Sequence, residues 1–310
     1  MGTLLNISLP FFGLIAAGYA AGRTRVLPPE AAGGLNAFVF WFALPAFLFM
    51  RMSAADTGGF DLRFVIAYSG GELLCFVICY ALARALFGRD PERNALRGAA
   101  GAFGNIGYMG LPIIVAVFGE RMLVPAVTVI LMDNFLMFLP SILIQLARRA
   151  GGAGAGPVLR MVIGTLLRNP LLLAMAAGLA CGAFEVAIPV PLASFGNLLS
   201  AAAAPCALFV LGATLVGRPL TSGFTEVAMM SIGKLVLHPA LVFGIAVLVS
   251  LDPELTAVAV VEASLPIAAH VFITARTYEV YAERISSAIL FSTVCAVVSV
   301  SLVLYWFAPA

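Results

Sequence analysis

Apolar stretches of about 20 residues recur along the chain, each closed by a short polar gap, and that length carries a helix across ~30 Å of hydrocarbon. They fall at 4–22, 33–51, 64–87, 97–118, 123–147, 170–187, 194–216, 224–250, 254–275 and 286–307. The pattern predicts an all-α polytopic membrane protein with ten transmembrane helices. Its first stretch has no basic segment before it, so it reads as a retained span rather than a cleaved leader.

The residues that punctuate these stretches repeat. Pro10, Gly18, Gly22, Pro29 and Pro45 recur as Pro170, Gly178, Gly182, Pro189 and Pro205, each 160 positions later. After a small slip, Gly-Leu-Pro-Ile at 110–113 finds a counterpart in Ser-Leu-Pro-Ile at 264–267. With an odd number of crossings in each half, the second copy inserts upside down. The expected organisation is a first five-helix repeat at 1–147, a cytoplasmic linker at 148–169 with a short amphipathic helix over Val158–Arg168, and a second, inverted five-helix repeat at 170–310. Inverted repeats with prolines inside matching spans point to a secondary transporter whose site lies near mid-membrane.

Composition narrows the classes. Apolar residues make up 62% of the chain and charged residues 10%, against roughly 25% charge in soluble domains. The spans consume nearly all of the 310 residues, which excludes a soluble catalytic or nucleic-acid-binding domain. No Gly-x-Ser-x-Gly or His-Glu-x-x-His is present, so an enzyme is not expected. The cysteines Cys75, Cys79, Cys181, Cys206 and Cys295 all lie in apolar segments and read as small apolar filler rather than metal ligands. Neither a metal nor a cofactor is expected. Basic residues divide by side: thirteen arginines fall in one set of gaps, while Arg51, Arg63 and Arg121 fall in the other. By the positive-inside rule, both termini lie outside. Arginine outnumbers lysine sixteen to one, which fits a bacterial inner membrane.

The fourth stretch is interrupted. Gly101, Gly104, Gly107, Gly110 and Pro112 fall within twelve residues, too many helix breakers for a straight span. The expected result is two half-helices with an extended segment from Asn105 to Leu111. The ninth stretch carries a matching break at Ser264–Pro266. In each, a second half-helix then starts at mid-membrane with Pro112 or Pro266 in its first turn, where proline is favoured. Two helix N-termini converging there attract an anion, and the Asn105 amide adds a donor or acceptor. The expected partner is a small organic anion, such as a carboxylate.

Each ionisable residue inside a span needs its own account, because a charge there costs about 2.5–3.5 kcal/mol on insertion scales. Glu72 and Lys234 fall at similar depth in repeat-related helices and form either an ion pair or a proton-exchanging carboxylate. His238 lies one turn from Lys234 and either packs near the bend at Pro239 or relays protons. Asp133, beside Asn134, falls near the crossing and reads as a substrate or proton site. Glu262 sits one turn before Pro266, where it either binds a coupling cation, H+ or Na+, or reaches the outer interface. His270, one turn after Pro266, either titrates near neutrality and meets an anion or lines the cavity.

Asn105-Ile-Gly-Tyr-Met-Gly-Leu-Pro112 resembles the Asn-x-Gly-aromatic-x-Gly-x-Pro signature of the auxin efflux carrier family. Phe40-Trp-Phe-Ala-Leu-Pro45, Lys234-Leu-Val-Leu-His-Pro239 and Leu265-Pro266 with Phe272, Ala275 and Tyr278 are similar to further motifs of that family. The resemblance implies ten spans in two inverted repeats, with broken fourth and ninth helices crossing. It implies that Asn105, Gly107, Gly110 and Pro112 line the crossing, with Pro266 opposite. It also implies a scaffold of spans one, two, six and seven that forms a homodimer, and a mobile transport domain of the remaining spans. Substrates in the family are auxin or small carboxylates, and Asp133-Asn134 followed by Pro140 looks similar to the malonate carriers. A sodium-coupled symporter of the related bile-acid type and a non-transporting receptor are the alternatives.

Overall fold

The computed structural model describes residues 2–54, 61–148, 164, 167–217 and 223–307. The described residues form twelve helices. They are α1 (Gly2–Arg23), α2 (Pro29–Ser53), α3 (Leu62–Phe87), α4 (Pro91–Ala102), α5 (Ile106–Phe118), α6 (Glu120–Arg148), α7 (Pro170–Ala183), α8 (Val190–Thr214), α9 (Phe224–Leu248), α10 (Pro253–Ala263), α11 (Ala269–Thr277) and α12 (Ala282–Phe307). Six of them, α2, α3, α6, α8, α9 and α12, are long and apolar enough to cross a membrane. The chain is an all-helical, multi-pass membrane protein. Nearly all of the expected linker at 148–169, with its amphipathic helix, lies outside the described residues.

Short polar signals start several helices. Asp90-Pro91, Asn169-Pro170 and Asp252-Pro253 open α4, α7 and α10. In each, the Asp or Asn side chain accepts from backbone N–H groups of the first turn. The following proline occupies a place where no N–H is needed. Asp61 caps α3 in the same way, accepting from the Arg63 amide.

By their packing, the helices form two compact units, each drawn from both halves of the chain. The first contains α1, α2, α7 and α8, together with the start of α6. Here helices touch backbone to backbone. A Cβ on Gly18 would collide with the Phe209 carbonyl oxygen, and one on Gly212 with the Ile15 carbonyl oxygen. Gly178 likewise sits against the main chain at Phe49. In lipid, helix association depends on such close packing because the tails are as apolar as the side chains. Gly212→Val is therefore expected to destabilise this unit by about 1–3 kcal/mol, as overpacking does. Gly33→Ala, whose Cβ meets nothing within 4 Å, is expected to be neutral. Thermal unfolding in detergent distinguishes the two, and equal melting would contradict the packing account.

The second unit contains α3, α4, α5, most of α6, and α9 to α12. Its centre is lined by small residues. Gly71 lies on Val242, and Gly101 meets Gly233 beside the Cys79 sulfur. This close approach seats α4 and α9 against α3, and it brings the interrupted helices to the middle of the unit. Large apolar side chains such as Leu74, Val77, Phe243 and Val298 point outward, the arrangement a lipid-facing surface requires.

Candidate functional site

Two helix breaks meet in the second unit. α4 ends at Ala102, and Phe103 turns extended with φ −80° and ψ 128°. α10 ends at Ala263, and Ala268 is extended before α11 with φ −67° and ψ 140°. The two segments cross as an antiparallel bridge between Gly104 and Ile267. The Asn105 amide donates to the Pro266 carbonyl at 2.9 Å, and the Ala268 amide donates to the Phe103 carbonyl at 3.1 Å. The Ser292 hydroxyl accepts from the Ile267 amide at 3.2 Å. Each break thus supplies partners for polar groups freed by the other, as backbone at membrane depth requires.

Two details differ from expectation. The extended segment on the first side ends at Asn105 rather than continuing to Leu111. Ile106–Gly110 forms a π-turn that runs directly into the rest of α5, so Pro112 is buried inside a continuous helix. Pro266, in contrast, lies in the extended crossing and not in the first turn of α11. Its carbonyl, rather than its ring, carries the contact.

The N-terminal turns of α5 and α11 are open. Gly107, Tyr108, Ala269 and His270 are each partly exposed, whereas Phe103 to Ile106 and Ser264 to Ala268 are buried. A Cβ on Gly107 would meet nothing within 4 Å. Gly110 faces the other way: a Cβ there would strike the Glu262 carboxyl group and lie 2.8 Å from Leu265 Cδ1. Gly107 therefore borders open space, while Gly110 makes room for a buried acid.

Ionisable side chains surround the crossing. Asp133 is buried and lies 3.2 Å from His270 Nε2, whose side chain is 41% exposed. The neighbouring Asn134 gives an amide hydrogen to the Ile130 carbonyl of its own helix at 2.8 Å. Glu72, Lys234, His238 and Glu262 are all 0% exposed. Lys234 donates to the Ala263 carbonyl at the C-terminus of α10 and contacts His238 Nδ1 at 2.9 Å. Its ammonium carbon would lie 3.0 Å from a Cβ on Gly104, so the charge sits where α4 and α10 end. A cation there opposes the partial negative charge of helix C-termini.

The expected ion pair between Glu72 and Lys234 does not form. Lys234 is turned toward Ala263 and His238, and neither oxygen of the Glu72 carboxyl, which lies near Asp133, has a hydrogen-bond donor. Nor does Glu262 reach an interface: α10 begins at Pro253, which leaves Glu262 more than two turns inside the unit.

Sequence reasoning missed Ser292 and Tyr68; the Tyr68 ring packs edge-on to His238 at 5.6 Å. It also counted Arg97 only among the thirteen orienting arginines. Arg97 is buried and bridges Glu226 at 2.9 Å and Asn94 at 2.7 Å. Tyr281 donates to the same glutamate. A signal was available, since Arg97 falls only four residues before Gly101, too deep for a solvated anchor. Near this network a cavity of about 650 Å³ is lined by Arg93, Arg276, Glu279 and Tyr281 to Arg284. It is separate from the crossing.

Apolar helices with a polar, partly open interruption at their centre define a membrane carrier. The chain belongs to the membrane transport protein family, that of the auxin efflux carriers, whose model matches residues 5–304. It is 34% identical over 310 residues to the "Putative malonate transporter" of Rhizobium meliloti, covering 98% of this chain and 96% of that one. An "Uncharacterized transporter" of Methanothermobacter thermautotrophicus is 30% identical over 294 residues, covering 93% of each chain. "Auxin efflux carrier component 7" of Arabidopsis thaliana is 27% identical over 119 residues, covering 38% of this chain and 19% of that one.

Proposed function

We propose that the chain moves small organic anions, with dicarboxylates of the malonate type as the leading substrates, across a bacterial inner membrane. The observation that carries this reading is the pair of partly exposed helix N-termini at Gly107–Tyr108 and Ala269–His270, beside open space at Gly107. Each terminus carries about half a positive charge, a setting that favours a carboxylate. Asn105, Gly107 and His270 are the residues assigned to contact it, with Pro266 and Pro112 shaping the walls. Gly110 and Glu262 act behind the site, and Asp133 orients His270. Asn134 is assigned to the rim of the cavity. The name of the Rhizobium relative supports malonate.

The architecture proposed is ten spans in two inverted five-helix repeats, with α4–α5 and α10–α11 as the broken fourth and ninth spans. Asp90-Pro91 and Asp252-Pro253 open these two spans 162 positions apart, close to the 160-residue register of the first repeat. The first unit is the scaffold and homodimer face, the second the moving part of an elevator. Both termini lie outside, as the arginine bias suggests.

Purified protein in malonate-loaded liposomes is expected to catalyse saturable counterflow of radiolabelled malonate, with other short dicarboxylates competing. Absence of counterflow for every mono- and dicarboxylate in a panel would overturn the reading.

A further inference from the structure

Among the described residues of the second unit, five buried carboxylate oxygens have no hydrogen-bond donor: both of Glu72, both of Glu262, and Oδ1 of Asp133. All three residues are nearly or fully buried. Tyr68 and Cys75 of its own helix, Asp133 of α6 and Lys234 of α9 lie around Glu72; Asp133 and Lys234 also neighbour Glu262 of α10, and His238 of α9 packs against Lys234 and Tyr68. His270 of α11 reaches the cluster through Asp133. Only Lys234 brings a fixed positive charge. His238 is fully buried, and its Nδ1 accepts from the Lys234 ammonium, which leaves the imidazole neutral. If all three acids were ionised, the cluster would hold a net charge of minus two out of reach of water. Desolvation of that kind costs several kcal/mol per ion.

Two chemical species could balance this charge, a metal cation or protons. The geometry favours protons. Among the described residues no three His, Cys, Asp or Glu side chains are close enough to hold a metal ion, and the Lys234 ammonium repels a second cation. The Glu72 and Asp133 carboxyls lie near one another with three of their four oxygens lacking a donor. Two carboxylates have no hydrogen to share, whereas an acid beside a carboxylate makes a good hydrogen bond.

We propose that Glu72, Asp133 and Glu262 form a proton-holding site around Lys234. It carries one proton shared between Glu72 and Asp133 and one on Glu262, and the shared proton exchanges with water through His270. The inference deepens the anion-carrier reading and rests on it for its purpose, because a proton released beside the anion site couples the two movements. Glu262, covered by Gly110 and fully buried, keeps its proton and has a structural part. His270 is the single partly exposed member of the cluster, which makes it the exit.

Infrared spectroscopy of the purified protein in lipid at neutral pH tests the site without any substrate. The wild type is expected to show protonated-carboxyl C=O absorption, and Glu72→Gln and Glu262→Gln are each expected to remove about half of it, one acid of two. In heavy water the component lost in Glu72→Gln is expected to exchange first, and His270→Ala is expected to slow that exchange at least roughly tenfold by removing the proton relay. No such absorption, or absorption unaltered by both glutamine variants, would overturn the site. Exchange unaffected by His270→Ala would overturn the exit. The same preparations report separately on the carrier reading. Malonate counterflow without the carboxyl signal defeats this proposal alone, whereas the signal without counterflow of any carboxylate defeats the carrier reading and with it the coupling.

Discussion

Lys234→Met is expected to yield a protein that is strongly destabilised and does not transport. The side chain is fully buried, and its ammonium satisfies the Ala263 carbonyl at the end of α10. Methionine fills similar volume but supplies neither the donor nor the charge. Removing one member of a buried charged group typically costs about 3–5 kcal/mol, because the partner is left uncompensated. Here the partners are three acids, and one negative charge would remain without a counter-charge. A double variant, Lys234→Met with Asp133→Asn, is expected to recover part of the loss, because it removes the carboxylate that shares the Glu72 proton. Thermal unfolding of detergent-solubilised protein reads both effects. A single variant as stable as the wild type would show that Lys234 does not hold the crossing together.

Asn105→Ala is expected to do the reverse: leave the fold intact and abolish uptake. The contacts that fix Asn105 in place are made by its main chain, the amide to Pro266 and the carbonyl to Met109 and Gly110. Alanine keeps all three. The lost side chain is the amide group assigned to the anion. A hydrogen bond to a charged group is worth about 1.5–3 kcal/mol, so affinity for malonate is expected to fall by roughly ten- to a hundredfold. Unfolding temperature and radiolabelled uptake, measured on the same preparation, check the two halves. Wild-type uptake would remove Asn105 from the site.

The chain's membrane character, the two interruptions and the intramembrane acids were legible because each depends on local chemistry: apolar length, crowded glycines, and charge where none is tolerated. The place of each break was less legible. Pro112 and Pro266 share a Leu-Pro-Ile context, and pairing them puts the breaks in matching places. Pro112 nevertheless lies within α5, where the π-turn at Ile106–Gly110 already restores a helix. The better guide was Asp90-Pro91 and Asp252-Pro253, whose caps start α4 and α10. By that spacing Glu72 and Lys234, also 162 positions apart, occupy equivalent places in the proposed repeat. Equivalence did not make them partners. Lys234 turned to the α10 carbonyl, and Glu72 to Asp133, a choice set by packing between helices far apart in sequence. Gly110 was likewise readable as a breaker but not as the one residue small enough to sit over the Glu262 carboxyl.

A carboxylate is expected to occupy the space between the N-termini of α5 and α11. Gly107→Cys places a thiol in that space, since a Cβ there meets no neighbour within 4 Å. Alkylation of this cysteine by a small maleimide, in a background with the five native cysteines replaced, measures occupancy directly. Saturating malonate is expected to slow the reaction at least roughly tenfold by covering the thiol, and an uncharged analogue is expected to have no effect. An alkylation rate indifferent to every carboxylate offered would contradict the account.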